Sequence, residues 1–306
     1  MTLLKIYSDE NAARAHLESL NWPDGPICPH CGAVNEATKL AGKSTRPGVY
    51  KCRPCQKPFS VTVGTVFERS KIKLNTWVHA VDLYTASKKG FSAHQLHRTL
   101  GVTYKTAWFM AHRIREAMRD TSPAPMGGEG NVVESDETYI GKTEIAPKGK
   151  RFRGGAYKNT VLTLVQRDGS ARSFHIDGAT INNIAPILRQ NVIRESRLHT
   201  DEGRHYIGVG REYRHETVNH GNEEYARGDV TTNTVEGFFA IFKRGMKGVY
   251  QHCSEKHLHR YLAEFDFRYN TRISVGFNDT MRAEKAMQGI RGKRLMYRRP
   301  DSAKIN

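Results

Sequence analysis

The sequence predicts an α/β fold: a mixed sheet with helices packed on it, preceded by a small cysteine-paired module and a basic helical segment. Three observations carry this expectation. Two CxxC pairs stand near the start, and a breaker-rich stretch, TSPAPMGGEG, falls at 121–130. Beyond residue 130, strand-like and helix-like patterns alternate.

The chain opens on MTLLKIYSDENAARAHLESL, whose apolar positions are broken by charges. This reads as a short helix and offers no signal-peptide core. No stretch approaches the ~18 consecutive apolar residues of a membrane span. Cys28-Pro-His-Cys31 and Cys52-Arg-Pro-Cys55 follow, with 20 residues between the pairs. Two residues between thiolates let a tight turn present both sulfurs to one metal, and two such turns complete a tetrahedral four-thiolate zinc shell. Gly32 relieves the backbone where the first turn opens. Lys51 and Arg53 flank the second pair and favour thiolates. His30 reads as facing solvent, and Cys253, lacking a partner at ligand spacing, as an ordinary thiol. Cysteines used this way point to a reducing cytoplasm.

Residues 70–120 read as helical and basic, with a helix-turn-helix pattern. Ser92 caps a helix through Leu96 to Leu100, Gly101 ends it, and Thr103 starts a second helix carrying Lys105, Arg113 and Arg115. In such motifs the second helix enters the major groove while basic residues hold phosphates. After the breaker, NVVESDETYIG reads as a strand and TVLTLVQRDGSARSFHID as a hairpin about Asp168-Gly169. ATINNIAPILRQNVI has helical spacing at Ile181, Ile184, Ile187 and Leu188, and SRLHTD reads as a short strand. From Thr232, apolar residues at 235, 238, 239, 242 and 246 mark a helix with one buried face. A last helix spans 254–269. The predicted units are 1–66, 70–120, 130–280 and a basic tail, 281–306.

Charge narrows the function. Lys and Arg number 48 against 31 Asp and Glu, a net +17 with pI near 9.7. Such self-repulsion usually serves a polyanionic partner. The excess is spread over 71–119, 142–158 and 281–306 rather than held in one tail, which favours nucleic acid over a membrane surface.

Three acids stand out by context. Asp136 lies in the first strand, Asp201 ends the short RLHTD strand, and Glu236 sits on the amphipathic helix off its apolar face. Lys243, two helical turns after Glu236, projects from nearly the same face. Cutting or joining a DNA strand needs an activated attacking oxygen and a stabilised leaving oxygen, and two Mg²⁺ ions ~3.5–4 Å apart supply both. Carboxylates are suitable hard ligands and repel one another without a cation. Tyr139, His205 and Tyr206 lie near the acids in sequence. Residues of these types more often pack or hydrogen-bond than catalyse, and no role is assigned to them.

The two CxxC pairs, VESDETYIGK, LHTDEG, TTNTVEGFFAIFKRGMKGVYQHCSEKHLHRYL and EFDFRYNTR together resemble a known family. These stretches are similar to bacterial insertion-sequence transposases of the ISXO-like group, which join an N-terminal zinc ribbon to an RNase H-like DDE domain. The resemblance implies an RNase H-like mixed sheet with flanking helices. Asp136 and Asp201 would bind both Mg²⁺ ions, for which Mn²⁺ can substitute, and Glu236 would complete the set. Some relatives carry Asn at the third position, so Asn233, one turn earlier, stands beside Glu236. Lys243 resembles a basic residue that contacts phosphate or the DNA end. In the implied reaction water frees a 3′-hydroxyl at the element end, and that hydroxyl attacks target DNA with no covalent enzyme intermediate. KGKRFRGG at 148–155, with Lys150 and Arg151, would grip phosphates in a salt-dependent way. Handling two element ends implies a homo-oligomer.

Two other readings use the same residues. A zinc-ribbon DNA-binding regulator explains the charge, the cysteines and the helical segment, but leaves the carboxylates and Lys243 without purpose. An RNase H-like nuclease that cuts without joining uses the same metal site.

Overall fold

The computed structural model describes residues 3–143, 158–167 and 169–296, and the chain divides into two compact units, 1–119 with 278–306, and 120–277.

In the first unit, α1 (Leu3–Ser8) leads into α2 (Glu10–Asn21), capped by Asp9 accepting from the Asn11 N–H. Three short antiparallel strands follow: β1 (Ala37–Lys39), β2 (Tyr50–Cys52) and β3 (Pro58–Phe59). So small a sheet has little core of its own. Trp22, Tyr50 and Phe59 pack ring against ring at 5.4–5.9 Å, tying it to the end of α2.

Next come α3 (Leu74–Ala86), α4 (Ala93–Leu100) and α5 (Tyr104–Met118). The turn chemistry expected here is present. Ser92 and Gln95 form a reciprocal capping box, Gly101 takes the left-handed conformation at φ 64°, and Thr103 caps α5. The segments expected as separate units, 1–66 and 70–120, share one unit because α3 packs against α1 and α2.

The second unit is built on a five-stranded sheet of β4 (Val132–Ile140), β5 (Asn159–Gln166), β6 (Ala171–Ile176), β7 (Arg197–Thr200) and β8 (Arg214–Thr217), in the order β6-β5-β4-β7-β8. The pairs β6–β5 and β5–β4 are antiparallel; β4–β7 and β7–β8 are parallel. This is the mixed sheet with flanking helices that the sequence predicts. The hairpin joins β5 to β6, with Asp168 of its turn outside the described residues.

Alternation along β4 and β5 divides the core in two. Val133, Leu162 and Leu164 face α6 (Ile181–Asn191) and α7 (Ile207–Gly210), packing with Ile184, Leu188 and Tyr206. Ile181, expected on that buried face, opens its helix and is 43% exposed. Val161 and Val165 face the other way. The ribbon β9 (Ala226–Arg227) and β10 (Val230–Thr231) leads into α8 (Asn233–Gly245), which continues as a π-turn over Met246–Tyr250, and then α9 (Leu258–Asn270). All five apolar positions predicted on α8, from Val235 to Met246, are buried in this second cluster.

The stretch expected as a basic tail from 281 begins inside a helix, α10 (Asp279–Gln288), which belongs to the first unit. Ala283, Ala286, Met287 and Ile290 are buried, and the Arg282 guanidinium donates to the Thr85 carbonyl. A four-residue apolar face among basic residues is what turns this stretch inward.

Candidate functional site: an acidic cluster and a cysteine cluster

The first site is the cysteine set. The Cys28 and Cys55 sulfurs lie 3.7 Å apart and those of Cys31 and Cys52 3.6 Å apart. All four sulfurs fall within 4.8 Å of one another. Four thiolates around zinc at the usual Zn–S length of ~2.3 Å stand about 3.8 Å apart, so the set fits the ion. Gly32 takes φ 79° after the first pair, and Gln56 makes the equivalent turn after the second at φ 58°. Burial pushes the Cys28 thiol up, but backbone N–H groups of His30 and Cys31 outweigh it and hold it at about 7. At Cys52 the Cys55 N–H pulls down, but burial and then the side-chain bonds with Cys55, Cys31 and Cys28 push the thiol up to about 12. Such a cluster resists carrying several thiolates without a cation.

The acids come from three elements. Asp136 lies on β4. The parallel β4–β7 register pairs Val132 with Arg197, Val133 with Leu198 and Glu134 with His199. Extended two residues beyond the paired ones, the same register brings Asp201, just past the end of β7, alongside Asp136. Asp201 leaves the sheet there, its carboxylate accepting the Gly203 N–H at 2.9 Å. Glu236 lies in the first turn of α8, accepting from Thr232 Oγ1 at 3.1 Å, with His220 Nε2 3.5 Å away.

Electrostatics ties these acids together. Burial, above all, and then the charge of Glu137 push the Asp136 carboxyl up to about 7; Asp201 and Glu236 add to the rise, while the Glu137 N–H opposes it. Asp201 is also raised, first by burial and then by Glu137 and Glu202, against the Gly203 N–H and His205. Among the described residues the cysteines alone form a set of three or more ligand groups within 4.8 Å of one another, so the three acids stand more openly. Asn233 is exposed at the start of α8, its backbone N–H bonded to Thr231 Oγ1.

Two supports are not evident in the sequence. Glu134 is fully buried and accepts from the Thr234 N–H at 2.8 Å, the Val235 N–H at 3.0 Å and Thr234 Oγ1 at 2.9 Å. A carboxylate at a helix N-terminus satisfies orphan donors and meets the positive end of the helix dipole. Arg167 Nε closes the charge at 2.8 Å, and its other nitrogens hold the carbonyls of Asp229 and Thr231 just before the helix. Glu134 therefore fixes the helix that carries Glu236, two residues along β4 from Asp136 on the same sheet face. On the opposite face, Glu137 accepts from Tyr206 Oη and from His205 Nε2 at 3.1 Å, and Ser135 meets the same Tyr206 hydroxyl at 2.9 Å. His205 and Tyr206, given no role by sequence, thus lock a fourth acid beside Asp136. The available signal was a strand with three acids in four residues, Glu134 to Glu137, too acidic for a plain core strand.

The basic candidates separate. Lys243 is half-buried, its ammonium 6.0 Å from the centre of the Phe239 ring. Lys105 is exposed on α5. Arg113 is half-buried, over the Phe109 ring and donating to the Glu68 carbonyl. Arg115 is only 2% exposed, with its guanidinium over Tyr84; α5 is packed on more than one side, and Arg115 lies on an inner face. Lys150 and Arg151 lie outside the described residues. No helix among the described residues is long and apolar enough to cross a membrane.

Comparison with known proteins agrees with this architecture. The transposase zinc-ribbon domain family matches residues 8–58, and the ISXO2-like transposase domain family matches 127–270. A protein of Halobacterium salinarum, described as an uncharacterized protein in transposable element ISH50, is 30% identical over 283 residues, covering 88% of this chain and 93% of that one. Among solved structures, a chain of a simian T-cell lymphotropic virus intasome in complex with a PP2A regulatory subunit matches at 12% identity. It covers 60% of this chain and 66% of that one, with a TM-score of 0.27, too low to bear on the fold. With both domains matched in order and a relative aligned over most of its length, this chain belongs to the ISXO2-like transposase family.

Proposed function

We propose that the chain is an insertion-sequence transposase that cuts and joins DNA through Mg²⁺ held by Asp136, Asp201 and Glu236. The observation that supports this reading best is the parallel β4–β7 register, which, extended two residues, brings Asp201 just past the end of β7 alongside Asp136 within β4, where burial and then neighbouring acids hold the Asp136 carboxyl at about 7. A carboxyl so raised is an electrostatic debt that a divalent cation removes. The donors are all oxygens, as Mg²⁺ requires.

When bound, the ions would activate the attacking oxygen and stabilise the leaving one. The chain's own residues do the rest. Asp136 and Asp201 present oxygens from a rigid sheet, and Glu134 with Arg167 holds α8 so that Glu236 completes the set. Tyr206 and His205 fix Glu137 and keep its charge beside Asp136. Lys243 offers its ammonium to a DNA phosphate, and exposed Lys105 on α5 offers another. The structural role of the ribbon zinc falls to Cys28, Cys31, Cys52 and Cys55. Two element ends must be handled together, so the working form is a homo-oligomer.

The test is a strand-transfer assay with Mg²⁺, labelled element ends and target DNA. Wild-type protein yields joined product, and Asp201→Ala loses it by several orders of magnitude while keeping DNA binding. Cleavage without joining would make the protein a nuclease. Specific binding with no metal-dependent chemistry would make it a regulator.

A further inference from the structure

The second unit contains a cavity of about 380 Å³ apart from the acid cluster. Its walls come from the end of β4 at Tyr139, from Lys158 just before β5, and from α8 with its π-turn at Lys243 and Lys247. Met246 and Leu258, both buried in the core beneath, form an apolar floor. Among the described residues, three ammonium groups line one cavity and no acidic residue does. Lys243 and Lys247, four residues apart where the helix widens, both reach it, and π-turns recur at functional sites.

Its position gives it meaning. Tyr139 is three residues beyond Asp136 on the same strand, about 10 Å at the usual rise. Tyr139 is 45% exposed and lines the cavity, which therefore opens beside the strand that carries Asp136. The volume suits one small ligand and not a duplex. Cations around an apolar floor beside an aromatic ring form the chemistry that takes single-stranded nucleic acid: ammonium groups for phosphates, a flat apolar surface for a base.

We propose that this cavity receives one unpaired nucleotide of the DNA strand engaged at the carboxylates. Lys158, Lys243 and Lys247 hold its flanking phosphates, and Met246, Leu258 and Tyr139 face its base and sugar. The proposal rests on the transposase reading and adds to it a strand-holding site.

The experiment measures binding of a short fluorescent single strand of mixed sequence, and of the same sequence as duplex, to the full-length protein across a salt series. Lys158→Ala and Lys247→Ala each weaken single-strand binding about tenfold. Each also lowers the slope of log affinity against log salt by about 0.7, one phosphate's worth. Lys→Arg at either position restores both. The control is Arg194→Ala, an exposed guanidinium beside Glu212 on the α6 side of the sheet, which leaves both unchanged. Cys253, which also lines the cavity, gives an independent readout: bound single strand slows its alkylation by N-ethylmaleimide, followed by peptide mapping. Equal loss of duplex and single-strand binding would reduce the lysines to general surface contacts and overturn the proposal. So would variants that match the Arg194→Ala control, or undiminished Cys253 alkylation with strand bound. If these fail while wild-type protein still cleaves and joins DNA with Mg²⁺, only the cavity assignment falls. A wild-type protein that binds no DNA would remove the transposase reading itself.

Discussion

At the scale of single residues, the site is crowded enough that one methyl group is felt. A Cβ added at Gly203 would lie 2.8 Å from Asp201 Oδ1 and 2.7 Å from the His205 ring. Because Gly203 has an ordinary negative φ of −56°, Gly203→Ala strains no backbone and must instead displace the carboxylate or the imidazole. We expect strand transfer to fall about 10²-fold, the effect of misplacing a catalytic group by roughly 1 Å, with unfolding little changed; full activity would show that Asp201 has room to spare. Away from the acids, Asp266 on α9 accepts from the Ser173 N–H and hydroxyl, and burial raises it from 3.8 to about 7 against those bonds and Arg172. The folded chain then holds this proton across an interval where the unfolded chain has lost it, so stability falls as pH rises from about 4 to about 7. Asp266→Asn carries no such penalty. Its stability relative to wild type should climb through that window and level off above it, by urea unfolding at several pH values. Parallel curves for the two proteins would contradict the assignment. Asp266 sits in the EFDFRYN run that carries the family resemblance, yet its burial is not visible there, because an acid on a helix looks the same whether it faces water or a strand.

Elements show where sequence reading succeeds. The cysteine turns, the Ser92 cap, the Gly101 terminus and the apolar face of α8 are local patterns, each set within a few residues, and each is present. Relations across long separations were not legible. The alignment of Asp136 with Asp201 depends on a parallel register between strands 65 residues apart, which no local pattern encodes. Arg115 misled because a cation on a helix suggests an outer face, whereas its own side of α5 is packed inward. Glu134 passed unnoticed because its partners are the backbone of a helix 100 residues away. That contact is also the most consequential at this scale. Glu134→Gln keeps the shape but removes the charge that Arg167 and the helix N-terminus share. Breaking a buried pair of this kind costs about 3 kcal/mol, and α8 loosens with Glu236 upon it. The measurements are urea unfolding and strand transfer at a temperature where the variant remains folded. A destabilised variant with undiminished transfer would show that α8 is held by its apolar face alone.

For the whole molecule, the division into units is set by the return of the chain. Residues 278–296 go back to the first unit: Ile290 accepts the Val66 N–H, Gly292 donates to Gly64, and Lys293 donates to the Ala117 carbonyl. Met287 and Ile290 are buried there, and two such side chains contribute about 3–6 kcal/mol, a large part of the ~5–15 kcal/mol that holds a typical domain together. A chain ending at Phe277 should therefore leave the second unit protected in limited proteolysis and open the first to cleavage between α3 and α5. Equal protection of both units would mean that α10 is dispensable.

That return also governs how the protein is made. The second unit, 158 residues from Asp120 to Phe277 (277 − 120 + 1), lies wholly inside the sequence of the first. At a synthesis rate of ~5–20 residues per second, the helices around α3 leave the ribosome on the order of ten seconds before the residues that complete their core. During that interval the inner unit can fold as a continuous piece while the outer one waits, its basic α5 already made and its interior still uncovered.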